Sequence, residues 1–320
     1  MNVLVTGGAG YIGAELVYKL SLLPEVTKVI VYDNLTRNNY NLFISKGNKI
    51  PNNKVKFELG DILDSRKLRK VLQGVEVVYH LAARVDNPYS NTDSHVYEQV
   101  NNWGTAELLY AIEEIKTVKK LVYVSSTSIY GSSKKMVDES VAPNPRTFYS
   151  ISKMRAEEHI MRILRKGAVH TTIVRCGNVY GYTPTIRFDA VINRFMFDAN
   201  FNNRISIHGS GKQTRSFIHV NKVVDALVQF LTNPDIPADV YNLVDKTIEV
   251  LDIVDVMKEI YPELEFIFIN QHLELRELKV SREGKLSKYI TIPESDFKAE
   301  LLEFKERFAF SSLTSEYANS

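Results

Sequence analysis

The sequence predicts an α/β protein: a Rossmann-type doubly wound parallel sheet with a smaller C-terminal α/β substrate-binding lobe. Three observations predict it. Short, continuously apolar runs rich in Val and Ile alternate with amphipathic helical patterns from the first residue onward, as strands buried on both faces require. The first run, NVLVT, enters the glycine-rich turn TGGAGYIG just before a helical pattern. A carboxylate, Asp33, closes the next run, twenty residues after Gly13.

The elements follow in order. NVLVT is the first strand and YIGAELVYKLSLL the first helix; KVIVYD is the second strand. Between them Gly7, Gly10 and Gly13 stand at three-residue intervals, where a tight turn, close approach to a pyrophosphate and close helix packing all call for glycine. Gly8 and Gly10 also fit the shorter G-x-G spelling, so the string leaves the individual roles open. The helix start offers free N–H groups to phosphate. A carboxylate at Asp33 accepts from the adenosine ribose hydroxyls and repels a 2′-phosphate, favouring NAD, while Arg37 nearby leaves NADP open. The Asn-rich stretch 36–54 is a surface excursion. VKFELG, VEVVYHLAA, KLVYVSS and TTIVRC continue the strands, with helices expected at 93–115 and 149–167. Past Gly181 the alternation loosens into shorter segments divided by Gly, Pro and Asn. We therefore place a dinucleotide-binding domain at 1–180 and a substrate lobe at 181–320, with some of its segments returning to the sheet.

Composition excludes several classes. The chain has 320 residues, 40 basic and 38 acidic, a balance too even to suggest nucleic acid or membrane as the partner. Cys176 is the only cysteine, which excludes an internal disulfide and a cysteine-based zinc site, and no metal is expected. No uninterrupted apolar run is long enough to span a bilayer and no signal-like stretch opens the sequence, so a cytoplasmic enzyme is expected.

Two Tyr-x-x-x-Lys pairs occur, Tyr149 with Lys153 and Tyr130 with Lys134. The second is read as a decoy, because Gly131 follows Tyr130 in a loop and the spacing would not stack the side chains. TGGAGYIG, HLAA (80–83), NNWGT (101–105), SSTSIYG (125–131), YSISK (149–153), RCGNVYG (175–181) and RSFIHV (215–220) occur in order. Together they resemble the extended short-chain dehydrogenases/reductases, specifically the nucleotide-sugar epimerases and dehydratases of the UDP-glucose 4-epimerase type.

The resemblance implies that Tyr149 is the acid/base, Lys153 lowers its pKa, and Ser126 holds the sugar oxygen, with Thr127 as the near competitor for that hydroxyl. A free phenol titrates near pH 10, so working at neutrality asks for about 4 kcal/mol of electrostatic help. A cation about 4 Å away supplies that only inside a closed site of low dielectric. The resemblance also places the cofactor against Gly7, Gly10, Tyr11, Ile12, Gly13, Asp33, Asn34, Asp61, Ile62, Leu81, Ala82, Ala83, Asn101, Ser125, Tyr149 and Lys153. Asn178 and Arg215 match positions that hold a sugar diphosphate; Arg187 and Arg276 are further phosphate candidates or ordinary surface charges. Ser216 stands where relatives carry Asp. His208 and His219 are read as structural, and a homodimer is implied through the helices near 93–115 and 149–167.

Dehydratases of this kind carry an acidic pair directly after the catalytic hydroxyl; here the positions hold Thr127 and Ser128. Neither is a strong acid or base, which disfavours dehydration. The expectation is thus an NAD-dependent nucleotide-sugar epimerase acting at C4 through a transient 4-keto sugar. The alternatives are an NAD(P)H-dependent reductase of a 4-keto sugar or a nucleotide-sugar 4-dehydrogenase, and from another class a non-catalytic NAD sensor.

Overall fold

The computed structural model describes residues 1–44, 53–85, 94–270, 275 and 277–311. In chain order the first half contains β1 (Asn2–Thr6), α1 (Tyr11–Leu22), β2 (Lys28–Asp33), β3 (Val55–Leu59), α2 (Ser65–Val71), β4 (Val77–His80), α3 (Ser94–Tyr97), α4 (Gly104–Ile115), β5 (Lys120–Ser126), β6 (Ser133–Val137), α5 (Phe148–Lys166) and β7 (His170–Cys176). The second half adds β8 (Asn178–Tyr180), α6 (Val191–Asn202), β9 (Arg204–His208), β10 (Thr214–His219), α7 (Val220–Thr232), β11 (Val240–Leu243), β12 (Lys246–Glu249), α8 (Val250–Ile260), β13 (Glu265–Ile269), β14 (Leu278–Val280) and α9 (Phe297–Glu306).

Seven strands pair in the order β11-β7-β5-β4-β1-β2-β3, every pair parallel. The continuous apolar runs are explained by their alternate residues facing opposite layers. Val3, Val5, Val29 and Val31 pack with Leu16, Val17 and Leu20 of α1 and with Val223, Val224 and Leu227 of α7. Leu4, Ile30, Val78 and Leu121 pack on the other side with Leu108 and Leu109 of α4 and Ile160 and Ile163 of α5. This is the doubly wound Rossmann-type arrangement, and β11 and α7 complete it from beyond residue 181. A separate core of α6, α8, α9 and β9 fills the lobe.

A buried ionic cluster joins the lobe to the sheet layer. Lys222 of α7 pairs with Asp245 at 2.5 Å, Lys246 pairs with the same carboxylate at 2.9 Å, and both lysines face Glu300 of α9 at 3.5 and 3.4 Å.

Two local forms differ from expectation. The helix expected over 93–115 is interrupted by a π-helical stretch, Glu98–Trp103, whose wider turn carries the buried Asn101 and Asn102. Tyr130 ends a 3-10 turn, Thr127–Tyr130, which Ser126 caps by accepting the Ser128 N–H at 3.1 Å. Helix α5 opens on a capping box, with the Thr147 hydroxyl accepting from Ser150 N–H at 3.2 Å and the Ser150 hydroxyl from Thr147 N–H at 2.9 Å. That box sets the phase of Tyr149, Lys153 and Glu157, spaced four apart along one face.

Candidate active site at the meeting of two cavities

The glycine turn resolves the roles left open by its string. Gly7 has φ +69°, and a Cβ there would lie 2.7 Å from the Ala82 backbone nitrogen; a Cβ on Gly13 would lie 2.3 Å from the Gly7 carbonyl. Gly8 packs against Val31 and Val17. Gly10 is the N-cap of α1 and makes no side-chain cap, leaving the first-turn N–H groups to the cavity beside them.

That cavity, about 740 Å³, is lined by Gly7, Gly10, Tyr11, Ile12, Gly13, Asp33, Asn34, Asp61, Ile62, Leu81, Ala82, Ala83, Ser125, Tyr149 and Lys153, as expected for a dinucleotide site. Asp33 accepts the Ala9 N–H at 3.0 Å on one oxygen and the Leu35 N–H at 2.8 Å on the other, which tethers the glycine turn and leaves a lone pair on each for ribose hydroxyls. The Ser125 hydroxyl is buried on this wall with no partner among the described residues, a donor poised for a ligand. The residues present therefore fit NAD.

Asn101, expected against the cofactor, is engaged elsewhere. Its carboxamide accepts from Arg84 N–H at 2.7 Å and donates to the Arg84 carbonyl and the Ser152 hydroxyl, both at 2.9 Å, so it stands behind the wall and shapes the backbone. His80 is locked similarly. Thr105 donates to the Asn101 carbonyl at 2.6 Å, so its oxygen accepts from His80 Nε2 at 2.8 Å; Nδ1 then accepts from the Thr6 hydroxyl at 2.7 Å. Burial pushes this imidazole down to about 3, keeping it neutral.

A second cavity of about 670 Å³ adjoins the first, lined by Ser126, Thr127, Tyr149, Asn178, Arg187 and Arg215 among others. Ser126, Tyr149 and Arg187 line both, so Tyr149 stands at the seam while Lys153 lines the first cavity. Asn178 donates to the Ser216 carbonyl at 3.0 Å. Ser216 is turned inward, accepting the Val280 N–H at 2.9 Å and sharing a hydrogen bond with Thr247, so it ties β10 to β12 and β14. His208 lies on the second cavity's wall, whereas His219 caps α7 and packs on Tyr180. Arg276 lies outside the described residues.

Lys153 is 2 % exposed, donates to the Val124 carbonyl at 2.7 Å and lies 4.2 Å over the Tyr123 ring. Burial pushes it down to about 7, against the favourable pull of Glu157 and Cys176. Burial raises the pKa of the Tyr149 phenol; Arg187, the neighbouring Ser126 hydroxyl and Arg37 oppose that rise. Arg187, on both cavities, and Arg37, on the first, are the positive charges that favour the Tyr149 phenolate, while Lys153 donates to the strand carbonyl of Val124.

Arg37 likewise departs from the NADP reading. Its guanidinium is turned across the cavity to the Val85 carbonyl at 3.4 Å and toward Asp189 at 3.9 Å. Tyr130 belongs to a buried structural network: its hydroxyl accepts from Arg175 at 2.8 Å and donates to Asn242 at 2.9 Å, while Arg175 pairs with Glu157 at 2.7 Å. Lys134 is exposed on β6. Asp189 carried no signal in the sequence, since its neighbours Arg187 and Arg37 meet it only in the fold.

Residues 3–243 match the model of the NAD dependent epimerase/dehydratase family. The dTDP-D-glucose 4,6-dehydratase of Homo sapiens is 33% identical over 246 residues, 76% of this chain and 68% of that protein. A putative UDP-glucose 4-epimerase of Methanocaldococcus jannaschii is 34% identical over 229 residues, 70% of this chain and 71% of that protein. Among solved structures, UDP-glucuronic acid 4-epimerase from Bacillus cereus in complex with UDP-glucuronic acid and NAD superposes with a TM-score of 0.83 at 26% identity, covering 96% of this chain and 98% of that one. Glycine turn, ribose carboxylate, Tyr/Lys pair and matched sequence agree, and the chain belongs to the NAD dependent epimerase/dehydratase family of enzymes.

Proposed function

We propose that this enzyme epimerises a nucleotide-diphosphate sugar at C4. Bound NAD supplies the hydride acceptor and donor. Tyr149 takes the C4 hydroxyl proton as the carbon is oxidised and returns it after the 4-keto sugar has turned; Ser126, beside that phenol on the wall shared by both cavities, holds the same oxygen. Arg187 and Arg37 favour the phenolate, and Lys153 completes the wall beside it. Asn178 and Arg215 line the second cavity, where the sugar diphosphate would bind, and Arg187 borders it at the seam. The Asp33 carboxylate favours NAD over NADP.

The observation that carries this reading is that, among the described residues, no free carboxylate stands where elimination would need one. Thr127 and Ser128 follow Ser126, and the two aspartates on the second cavity, Asp189 and Asp198, are each paired with an arginine at 2.7 Å. Dehydration across C5 and C6 has no ready acid or base among these described residues.

The test is to incubate the protein with a panel of nucleotide sugars and follow stereochemistry at C4 by NMR. Inversion without net NAD(P)H consumption is expected, with kcat falling about 10²- to 10⁴-fold in Tyr149→Phe. A 4-keto-6-deoxy product would assign a dehydratase, net NAD(P)H consumption a reductase, and equal turnover in Tyr149→Phe would remove the catalytic assignment. The enzyme is further proposed to work as a homodimer through the outer faces of α4 and α5.

A further inference from the structure

The segment 181–190 leaves β8, crosses between the two cavities and enters α6. On its near side it is fixed to the glycine turn and to α6: the Tyr11 phenol donates to the Gly181 carbonyl at 2.6 Å, Thr185 donates to the Gly10 carbonyl at 3.1 Å, and Asn193 donates to the Arg187 carbonyl at 3.0 Å. On the far side it meets the segment after β2. There Asn41 donates to the Pro184 carbonyl, and the Asp189 carboxylate accepts from Arg187 at 2.7 Å while facing Arg37 at 3.9 Å. Arg37 and Asp189 both line the larger cavity, so the crossing segment and the segment after β2 meet on its wall, and we call the crossing segment the arch.

We propose that Asp189 is a positioning residue that latches this arch to the segment carrying Arg37, so that NAD, once bound, is retained between turnovers. The proposal rests on the reading of the larger cavity as the NAD site. One carboxylate lies between two guanidinium groups that repel each other, so removing its charge leaves two like charges at the seam and no ionic link across it. The pair is partly exposed, which makes the latch sensitive to salt. Asn41 provides a second, uncharged link, so neutralising Asp189 loosens the arch without dismantling it. Retention also matches the chemistry proposed above, in which the same cofactor accepts and returns the hydride.

The test loads the protein with labelled NAD, chases with unlabelled NAD, and measures dissociation for the parent, Asp189→Asn, Asp189→Glu and Asn41→Ala at low salt and at about 0.5 M salt. Asp189→Asn is expected to release NAD about two- to fivefold faster, with Asp189→Glu closer to the parent and Asn41→Ala accelerated as well. Salt should speed release from the parent and leave Asp189→Asn unchanged. Release from Asp189→Asn at the parent rate, or release from the parent within seconds, overturns the proposal. If the parent retains NAD, Asp189→Asn loses it and neither inverts any sugar, the latch stands and the epimerase reading falls.

Discussion

Lys153 carries an energetic burden that sequence spacing does not show. Its ammonium is desolvated, and its pKa is pushed down to about 7 from the ordinary lysine range. The unfolded chain therefore binds more protons than the folded one between about pH 7 and pH 10, and stability from this residue rises with pH across that window. Below about pH 7 both states are charged and the full burden is felt. Lys153→Met removes the group, so its stability relative to the parent should be greatest near pH 6 and shrink by on the order of 2 kcal/mol towards pH 9. Urea unfolding of the ligand-free proteins at several pH values measures this, and parallel profiles would contradict it. At this scale the Tyr149 and Lys153 positions were legible in the sequence because a motif order selected them. The partner of Lys153, a strand carbonyl, was illegible, since a backbone acceptor has no letter in the sequence.

Among the elements, the glycine turn was readable in kind and the arch was not. Glycines at three-residue intervals after a strand announce a phosphate turn, but only the fold shows that Gly13 touches the Gly7 carbonyl while Gly10 is comparatively open. Gly13→Ala would place a methyl group 2.3 Å from that oxygen, so the turn must shift. NAD affinity measured by calorimetry should fall at least about tenfold, roughly 1.4 kcal/mol, and an unchanged Kd would show that the turn yields freely. The arch is held by side chains from the glycine turn, the segment after β2 and α6. No periodicity links those stretches, and the same holds for Asn101, whose motif position suggested cofactor contact but whose carboxamide is spent on Arg84 and Ser152.

Across the whole molecule, the Rossmann-type sheet followed from strand composition, whereas the lobe followed only as looser alternation, its short sheets depending on pairings distant in the chain. Trp103 and Tyr110, one heptad apart, remain 57% and 51% exposed on the helical stretch expected to mediate dimerisation. Replacing both with Arg should convert a dimer to a monomer in sedimentation, with little change in monomer unfolding; a parent that sediments as a monomer would refute the proposed assembly. The return of β11 to the sheet has a consequence during synthesis. β7 stays an open edge after the proposed catalytic residues have been made, until Val240–Leu243 emerge to pair with it. The nascent chain thus passes through a stage in which its chemistry is fully encoded but its sheet can still recruit a foreign strand, and chaperone demand should concentrate there.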